Sequence, residues 1–237
     1  MNFYKTNKYD PNFIKENLMG PNGVKMLEEL TYTIEFDKDS RVLDLGCGKG
    51  LTSIFLAKEF GVQVFATDLW INPTENFNRF KLVDVENQII PIHGDALELP
   101  YPDEYFDAVI SVDSYHFFGT KANYMDEKLA PHVKSGGIIG IAIPGLKEEF
   151  NGDIPQEMLK CWTPEDLSTI HSCQWWREVL SKSESIKIES IEEMDGYNEC
   201  WNDWLSTDNP YAKKDCVAME AGAYKYMNHI SIKARKN

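Results

Sequence analysis

The sequence predicts an α/β fold in which a seven-stranded, mostly parallel sheet carries helices on both faces and its last strand runs antiparallel. Short apolar segments alternate with stretches of helical periodicity over residues 38–145, the order expected when helices connect parallel strands. Residues 106–112 and 138–143 are almost continuously apolar, which is typical of strands buried on both faces. A chain of 237 residues is long enough for one core of this kind.

The predicted elements follow one another in a regular order. Gly20-Pro21 begins a first helix, because proline suits the first helical position. Thr163-Pro164 begins another, with threonine as its cap, and Asn209-Pro210 divides residues 197–227 into two helices. The seven strands are predicted over residues 41–45, 62–68, 89–93, 106–112, 138–143, 185–193 and 229–234.

A glycine-rich turn follows the first strand. Residues 42–50 read Val-Leu-Asp-Leu-Gly-Cys-Gly-Lys-Gly, and apolar residues at helical spacing come directly after them. A strand, a glycine turn and a helix N-terminus together bring backbone N–H groups close to a polar ligand. The dinucleotide fingerprint would need a third glycine at position 51, where Leu51 stands. The spacing therefore disfavours an NAD-dependent oxidoreductase.

The pattern Asp-x-Gly-x-Gly-x-Gly that begins at Asp44 resembles motif I of the class I S-adenosylmethionine-dependent methyltransferases. Further features occur in the family's order. The second strand ends in Asp68, which can accept hydrogen bonds from both hydroxyls of a ribose. Asp95-Ala96 follows the third strand, and Asp107 and the turn at 135–137 complete the likeness over about residues 38–145. The resemblance implies a Rossmann-like fold.

Within that family the chain is most similar to small-molecule enzymes, namely ubiquinone/menaquinone C-methyltransferases and glycine/sarcosine-type N-methyltransferases. The resemblance implies S-adenosylmethionine as cofactor, with its methionine end on the glycine turn. Asp68 would hold the ribose, and Asp95 with Ala96 would meet the adenine. Leu69 and Trp70 would flank the adenine plane. The predicted cofactor-binding residues are Asp44, Gly46, Cys47, Gly48, Gly50, Asp68, Leu69, Trp70, Asp95, Ala96 and Ser111.

Methyl transfer from a sulfonium needs mainly alignment of the reactants, which contributes roughly 7–11 kcal/mol. A base is required only where the acceptor must lose a proton. The loop after the fourth strand holds Tyr115 and His116, and such loops carry ligand sites in parallel sheets. His116 is the first candidate for a catalytic or orienting group and Tyr115 the second, the alternative being a packed aromatic pair. His93 and His171 are weaker candidates.

A helical cover for the substrate is predicted from residues 1–35, 146–183 and 197–227, and residues 1–237 are interpreted as one domain. Five of the six tryptophans lie after position 160. They indicate either core packing or an aromatic roof over the substrate, where cation–π contacts would contribute about 0.5–2 kcal/mol. Tyr4 and Tyr9 would close the same pocket.

Composition and net charge limit the classes of molecule that the chain is expected to bind. The net charge of −14 and the lack of a basic stripe argue against nucleic acid and anionic membranes. Five scattered cysteines without a Cys-x-x-Cys pair indicate neither a disulfide framework nor a metal site, as expected in a cytoplasm. No apolar run could span a bilayer, and the first residues lack a signal-peptide core. A small-molecule acceptor is the expected partner, and a homodimer stays open.

The sequence thus predicts a metal-independent, S-adenosylmethionine-dependent methyltransferase that acts on a small molecule by in-line displacement. Two alternatives remain: a lipid-modifying enzyme of the cyclopropane-synthase type, and a sensor that binds S-adenosylmethionine without turnover.

Overall fold

A computed structural model describes residues 2–150 and 152–237. Its sheet has the strand order β3-β2-β1-β4-β5-β7-β6. The first five strands run parallel, and β7 is antiparallel to both of its neighbours. The predicted sheet is therefore confirmed. The strands are β1 (Arg41–Leu45), β2 (Gln63–Asp68), β3 (Ile89–His93), β4 (Phe106–Val112), β5 (Val133–Leu146), β6 (Ile186–Glu193) and β7 (Met227–Lys236).

Side-chain caps set where several helices begin. Asn22 accepts hydrogen bonds from the backbone N–H groups of residues 24 and 25, so the second helix starts two residues after Pro21. Asn209 caps the last helix in the same way, which confirms the predicted break. The α-helices are α1 (Pro11–Asn17), α2 (Gly23–Leu30), α3 (Leu51–Phe60), α4 (Pro73–Lys81), α5 (Pro164–Leu167), α6 (Cys173–Leu180), α7 (Tyr197–Leu205) and α8 (Pro210–Ala221).

Strand β5 is longer than the sequence predicted. The sequence predicted this strand over residues 138–143, so that it ended before Pro144, and proline cannot donate a hydrogen bond to a neighbouring strand. The strand continues nevertheless, since β7 pairs along this stretch with Pro144 opposite His229 and Gly145 opposite Asn228. This extension brings the start of β7 to the same edge of the sheet as the end of β4.

The sheet separates two buried clusters, so helices do cover both faces. Helices α2 and α3 pack on one face with Leu30 and Phe55 at the centre. Helix α6 and the segment after β4 pack on the other, around Trp176. A third cluster joins α1, α7 and α8 around Trp204, and it draws on all three segments of the predicted cover. Across the described residues no helix is long and apolar enough to cross a membrane.

Candidate active site

A cavity of about 420 Å³ opens at the carboxyl ends of the central parallel strands. Ligand sites occur at this edge in open α/β sheets, and the volume lies within the usual range for small molecules. The walls come from stretches of chain within residues 17–23, 45–52, 67–70, 94–97 and 112–121.

The glycine turn forms one wall. Gly46, Gly48 and Gly50 all have positive φ values, of 75°, 54° and 78°, which side chains other than glycine rarely adopt. A Cβ on Gly46 would overlap the side chain of Ser114, so only glycine lets the turn lie against the loop after β4. Gly46 and Gly48 line the cavity with bare backbone, whereas Gly50 lies behind it at the start of α3.

Asp44 supports this turn from behind. Its carboxylate is fully buried and accepts hydrogen bonds from Thr52 Oγ1 at 2.7 Å and Ser53 Oγ at 2.6 Å. Both hydroxyls belong to the first turn of α3, where a negative charge is favourable. Burial raises the pKa of Asp44 to about 6, although the two hydroxyls oppose the shift. Asp44 does not line the cavity, so its position indicates that it orients the helix and turn.

Asp68 joins the glycine turn to the end of β2. Its Oδ2 accepts from the Gly48 N–H at 2.8 Å, and its Oδ1 accepts from the N–H groups of Trp70 and Ile71 at 2.8 and 2.9 Å. The carboxylate lines the cavity, and Oδ2 keeps one lone pair for a further donor. This arrangement fits a ribose hydroxyl, and the bare backbone of the turn fits the polar end of the same cofactor.

An aromatic pair stands at the mouth of the cavity. Trp70 and Phe117 are 69% and 51% exposed, and their rings meet edge to face at 5.9 Å. Leu69, Asp95 and Ala96 line the cavity beside them. These groups fit a flat, apolar ring with polar edges.

We expect Trp70→Ala to weaken binding of S-adenosylhomocysteine by about 0.5–1.5 kcal/mol, because an aromatic contact with the adenine is lost. Calorimetric titration measures the affinity. Leu82→Ala, which removes another exposed apolar side chain outside the cavity, serves as the control. Equal affinities in both variants would show that Trp70 does not touch the cofactor.

Eight of the eleven predicted cofactor-binding residues line the cavity, and three do not. Ser111 is buried and donates a hydrogen bond to the Leu45 carbonyl at 2.9 Å, so it fastens β4 to β1. Asp44 binds the hydroxyls of Thr52 and Ser53 behind the turn, and Gly50 lies at the start of α3. The eight are Gly46, Cys47, Gly48, Asp68, Leu69, Trp70, Asp95 and Ala96.

Neither predicted catalytic side chain reaches the cavity. Tyr115 is fully buried and packs against Tyr124 and Trp176 on the α6 face of the sheet. His116 is 4% exposed and its ring meets that of Phe117 at a tilt, with 4.0 Å between the ring centres; burial lowers its pKa to about 3 and keeps it neutral. The expectation that both residues face the reacting methyl group therefore finds no support in this geometry, and their catalytic role stays a prediction.

Asp113 begins the loop 113–118 in which the sequence placed the catalytic candidates, and it does line the cavity, although His116 and Tyr115 were preferred to it. Its φ of 54° lies in the left-handed region, and its N–H donates to the Ala142 carbonyl at 2.8 Å. Its carboxylate lies against Gly20, where a Cβ would overlap it. The residue is partly buried, and no described residue donates a hydrogen bond to its carboxylate. Burial, followed by the charge of Asp215, raises the pKa of Asp113 to about 7.

The tryptophans after position 160 do not form an aromatic roof over this cavity. None of the five tryptophans after position 160 lines the cavity, and of the cover only residues 17–23 do. Tyr4 is 72% exposed, while Tyr9 stacks on Phe55 and donates a hydrogen bond to Glu59. In the part of the chain that the structure describes, no three His, Cys, Asp or Glu side chains cluster as metal ligands.

Comparisons with known proteins relate this chain to methyltransferases. Residues 42–137 match the family described as a methyltransferase domain. The 27-O-demethylrifamycin SV methyltransferase of Amycolatopsis mediterranei is 32% identical over 93 residues, which are 39% of this chain and 34% of that protein. The phosphoethanolamine N-methyltransferase of Plasmodium falciparum is 23% identical over 223 residues, 88% of this chain and 78% of that protein. The aligned part thus spans from about a third to about three quarters of these relatives.

The fold has close counterparts among solved structures. The geranyl diphosphate C-methyltransferase of Streptomyces coelicolor A3(2), solved with S-adenosyl-L-homocysteine, superposes with a TM-score of 0.70. The two chains are 12% identical, and the match covers 91% of this chain and 79% of that one. Residues 42–137 are therefore similar to a methyltransferase domain, the fold is shared with a solved methyltransferase, and the glycine turn and Asp68 fit S-adenosylmethionine as the cofactor.

Proposed function

We propose that the chain transfers a methyl group from S-adenosylmethionine to a small-molecule acceptor without the help of a metal ion. One observation supports this most directly. The cavity that holds the glycine turn and Asp68 continues to Asp113, a carboxylate that accepts no hydrogen bond from any described residue. A site for the cofactor and a carboxylate without a hydrogen-bond donor therefore share one cavity.

The residues of the chain have two tasks in this reaction. When bound, S-adenosylmethionine supplies the activated methyl group and leaves as S-adenosylhomocysteine. Gly46, Gly48 and Asp68 hold the cofactor in a fixed orientation, while the stretch 17–23, which includes the buried Leu18, forms another wall of the cavity. Such alignment contributes roughly 7–11 kcal/mol, so little further catalysis is needed.

An acceptor screen tests the proposal. The chain is incubated with S-adenosylmethionine and a panel of small amines, alcohols, phenols, thiols and carboxylates. We expect at least one acceptor to gain a methyl group by mass spectrometry while S-adenosylhomocysteine is released. The Asp68→Ala variant at equal concentration is the control. Tight cofactor binding without any methylated product would favour the sensor instead.

Removal of divalent metal is expected to leave turnover unchanged, because no metal-ligand cluster lies within residues 2–150 and 152–237. Initial rates are compared with and without an excess of chelator, using the acceptor found in the screen. A rate that falls with chelator and returns with magnesium would contradict metal independence.

We also propose a cytoplasmic enzyme that binds neither nucleic acid nor membranes. The net charge of −14 supports this, since phosphate backbones and anionic lipids would repel such a chain. A homodimer is the oligomeric state to test, and light scattering during size-exclusion chromatography decides between monomer and dimer.

A further inference from the structure

Helix α4 holds the glycine turn through a buried side-chain amide. Asn76 is 2% exposed, and its Nδ2 donates a hydrogen bond to the Gly48 carbonyl at 2.9 Å. Its Oδ1 accepts from Arg79 Nη1 at 2.8 Å. Residues three apart lie on one face of a helix, so these two side chains of α4 meet each other. Asn76 thus links the turn that fits the cofactor to an arginine outside the cavity.

Arg79 reaches from α4 to the end of α1. Its Nε donates to Asn17 Oδ1 at 3.1 Å, and Asn17 Nδ2 donates to the Phe13 carbonyl of the same helix at 2.8 Å. Asn17 is the last residue of α1 and also lines the cavity, where it begins the wall formed by residues 17–23, called here the 17–23 wall. Arg79 therefore contacts this wall directly and the glycine turn through Asn76.

The hydrogen bonds continue from the glycine turn to Asp68. The Gly48 N–H donates to Asp68 Oδ2 at 2.8 Å, while the Gly48 carbonyl accepts from Asn76. Hydrogen bonds of 2.8–3.1 Å thus lead without a gap through a set of side chains and one peptide group, called here the Arg79 network: Asp68, Gly48, Asn76, Arg79 and Asn17. Both ends of the network, Asp68 and Asn17, line the cavity.

The guanidinium determines how the amide of Asn76 is oriented. Arginine has only donors, so Asn76 turns its oxygen towards Arg79 and its nitrogen towards the Gly48 carbonyl. A planar guanidinium also reaches two acceptors in fixed directions, which the single ammonium of a lysine does not. The third contact of Arg79, to Glu75 Oε2 at 3.4 Å, is an exposed pair, and such pairs contribute little. The contacts with Asn76 and Asn17 are therefore the ones that hold the two walls.

Two further contacts bring the 17–23 wall and the end of α1 onto the glycine turn. A Cβ on Gly48 would come within 3.0 Å of Met19 Sδ, so Met19 lies close to the bare backbone of the turn. Lys49 Nζ donates to the Glu16 carbonyl at 3.1 Å. A displacement of the turn would therefore disturb these residues, and the network would transmit it to α1.

We propose that Arg79 is a positioning residue for methyl transfer, because it connects the wall that fits the cofactor to the 17–23 wall. This rests on the proposed function. Arg79 does not line the cavity, so it acts through Asn76 and Asn17. With the cofactor on the glycine turn, the network keeps the opposite wall at a fixed distance from it. Methyl transfer depends on alignment of the two reactants, and a fixed spacing between the walls favours that alignment.

Hydrogen exchange tests the connection without turnover. Residues 11–16 of α1 do not line the cavity, and the Ile14 N–H is bonded within this helix to Asp10. We expect S-adenosylhomocysteine to slow amide exchange over residues 11–16 about 3–10-fold in the wild type and to leave it unchanged in Arg79→Met. Mass spectrometry of peptides measures the exchange. Equal protection in both proteins, or none in a wild type that binds the ligand, would overturn the inference.

Calorimetric titration with S-adenosylhomocysteine compares Arg79→Met with two controls on the same helix. Lys81→Met also removes a cation from the last turn of α4, and Glu75→Ala removes the exposed partner of Arg79. We expect the affinity to fall about 3–10-fold in Arg79→Met and to stay within about twofold in both controls. A fall of the same size in Lys81→Met or Glu75→Ala would assign the effect to surface charge and overturn the inference.

A double-mutant cycle separates positioning from stability. Asn17 and Asn76 share Arg79 as a partner, and no hydrogen bond between the two is found in the described part of the chain. The effects of Asn17→Ala and Asn76→Ala on the affinity should therefore be non-additive, by about threefold, and become additive once Arg79→Met is present. A merely structural arginine would lower the melting temperature and leave the effects additive in both backgrounds, which would overturn its positioning role.

The same titrations distinguish this inference from the proposed function. Wild-type binding of S-adenosylhomocysteine with additive effects and no protection of α1 would remove the role of Arg79 and leave methyl transfer standing. A wild type that does not bind S-adenosylhomocysteine would overturn the proposed function itself, and the positioning role with it.

Discussion

Asp68→Ala is expected to lower the affinity for S-adenosylhomocysteine by about 1.5–3 kcal/mol, roughly 10–150-fold. The carboxylate makes the charge-assisted contact that the ribose needs, and such bonds contribute this much. It also holds the N–H groups of Gly48, Trp70 and Ile71, so its loss loosens the cavity wall as well. Calorimetric titration of both proteins measures the difference.

Loss of binding could also follow from unfolding, so two controls accompany Asp68→Ala. Circular dichroism and the melting temperature establish that the variant is folded. Asp103→Ala removes another carboxylate, one that does not line the cavity, and should bind as the wild type does. An unchanged affinity in a folded Asp68→Ala protein would show that the ribose is held elsewhere.

The cofactor half of the site could be predicted from the sequence because its residues are close along the chain and follow strands with clear signals. The bounds of β1, β3 and β4 agree with the prediction at both ends. Each is a run of mainly apolar residues flanked by polar or turn residues, so burial fixes its limits. The glycine spacing then places Gly46 and Gly48 at the end of β1, beside Asp68 at the end of the neighbouring β2.

The loop after β4, residues 113–118, could not be predicted in the same way. Residues 113–118 read Asp-Ser-Tyr-His-Phe-Phe, and every one is a plausible site residue by type. The backbone at Asp113 is left-handed, so the chain turns sharply there. Asp113 faces the cavity, whereas Tyr115 lies in the buried cluster around Trp176. An acid with positive φ has no reliable sequence signal, because glycine and asparagine favour that conformation more strongly.

Contacts between distant segments explain the other differences. The sequence predicted two alternatives for the five tryptophans after position 160: packing in the core, or an aromatic roof over the substrate. In the structure Trp162 and Trp204 share one partner, Asp215, from another helix. No local pattern links positions 162, 204 and 215, so this arrangement emerges only once α7 and α8 pack together.

Asp215→Ala is expected to lower the free energy of unfolding by about 2–4 kcal/mol. The carboxylate accepts hydrogen bonds from two indole N–H groups and from the Cys161 thiol at 3.2 Å. Trp204 is only 1% exposed, so its N–H would lose its partner without gaining water. Each unsatisfied buried donor costs roughly 1–3 kcal/mol. Urea denaturation, followed by circular dichroism, measures the change.

Two further variants are compared with Asp215→Ala in the same urea experiment. Asp208→Ala removes a fully exposed acid that pairs with Lys213 near the start of the same helix, and exposed pairs contribute about 0–1 kcal/mol. Asp215→Asn keeps one acceptor oxygen and should lose about half as much stability as Asp215→Ala. If Asp215→Ala unfolds at the same urea concentration as Asp208→Ala, the two indoles do not depend on this carboxylate.

The charge of Asp215 also acts on the pKa of Asp113. Asp215→Asn tests this effect, because it removes the charge and keeps the size of the side chain. Because that charge helps to raise the pKa of Asp113, its removal should lower the pKa of Asp113. The other charged or titratable side chains on the cavity wall are Cys47, Lys49, Asp68, Asp95 and Lys121. A rate that depends on ionised Asp113 rises with pH through about 7 in the wild type, and in Asp215→Asn this rise should begin at lower pH. An unshifted profile in the folded variant would mean that another group sets it.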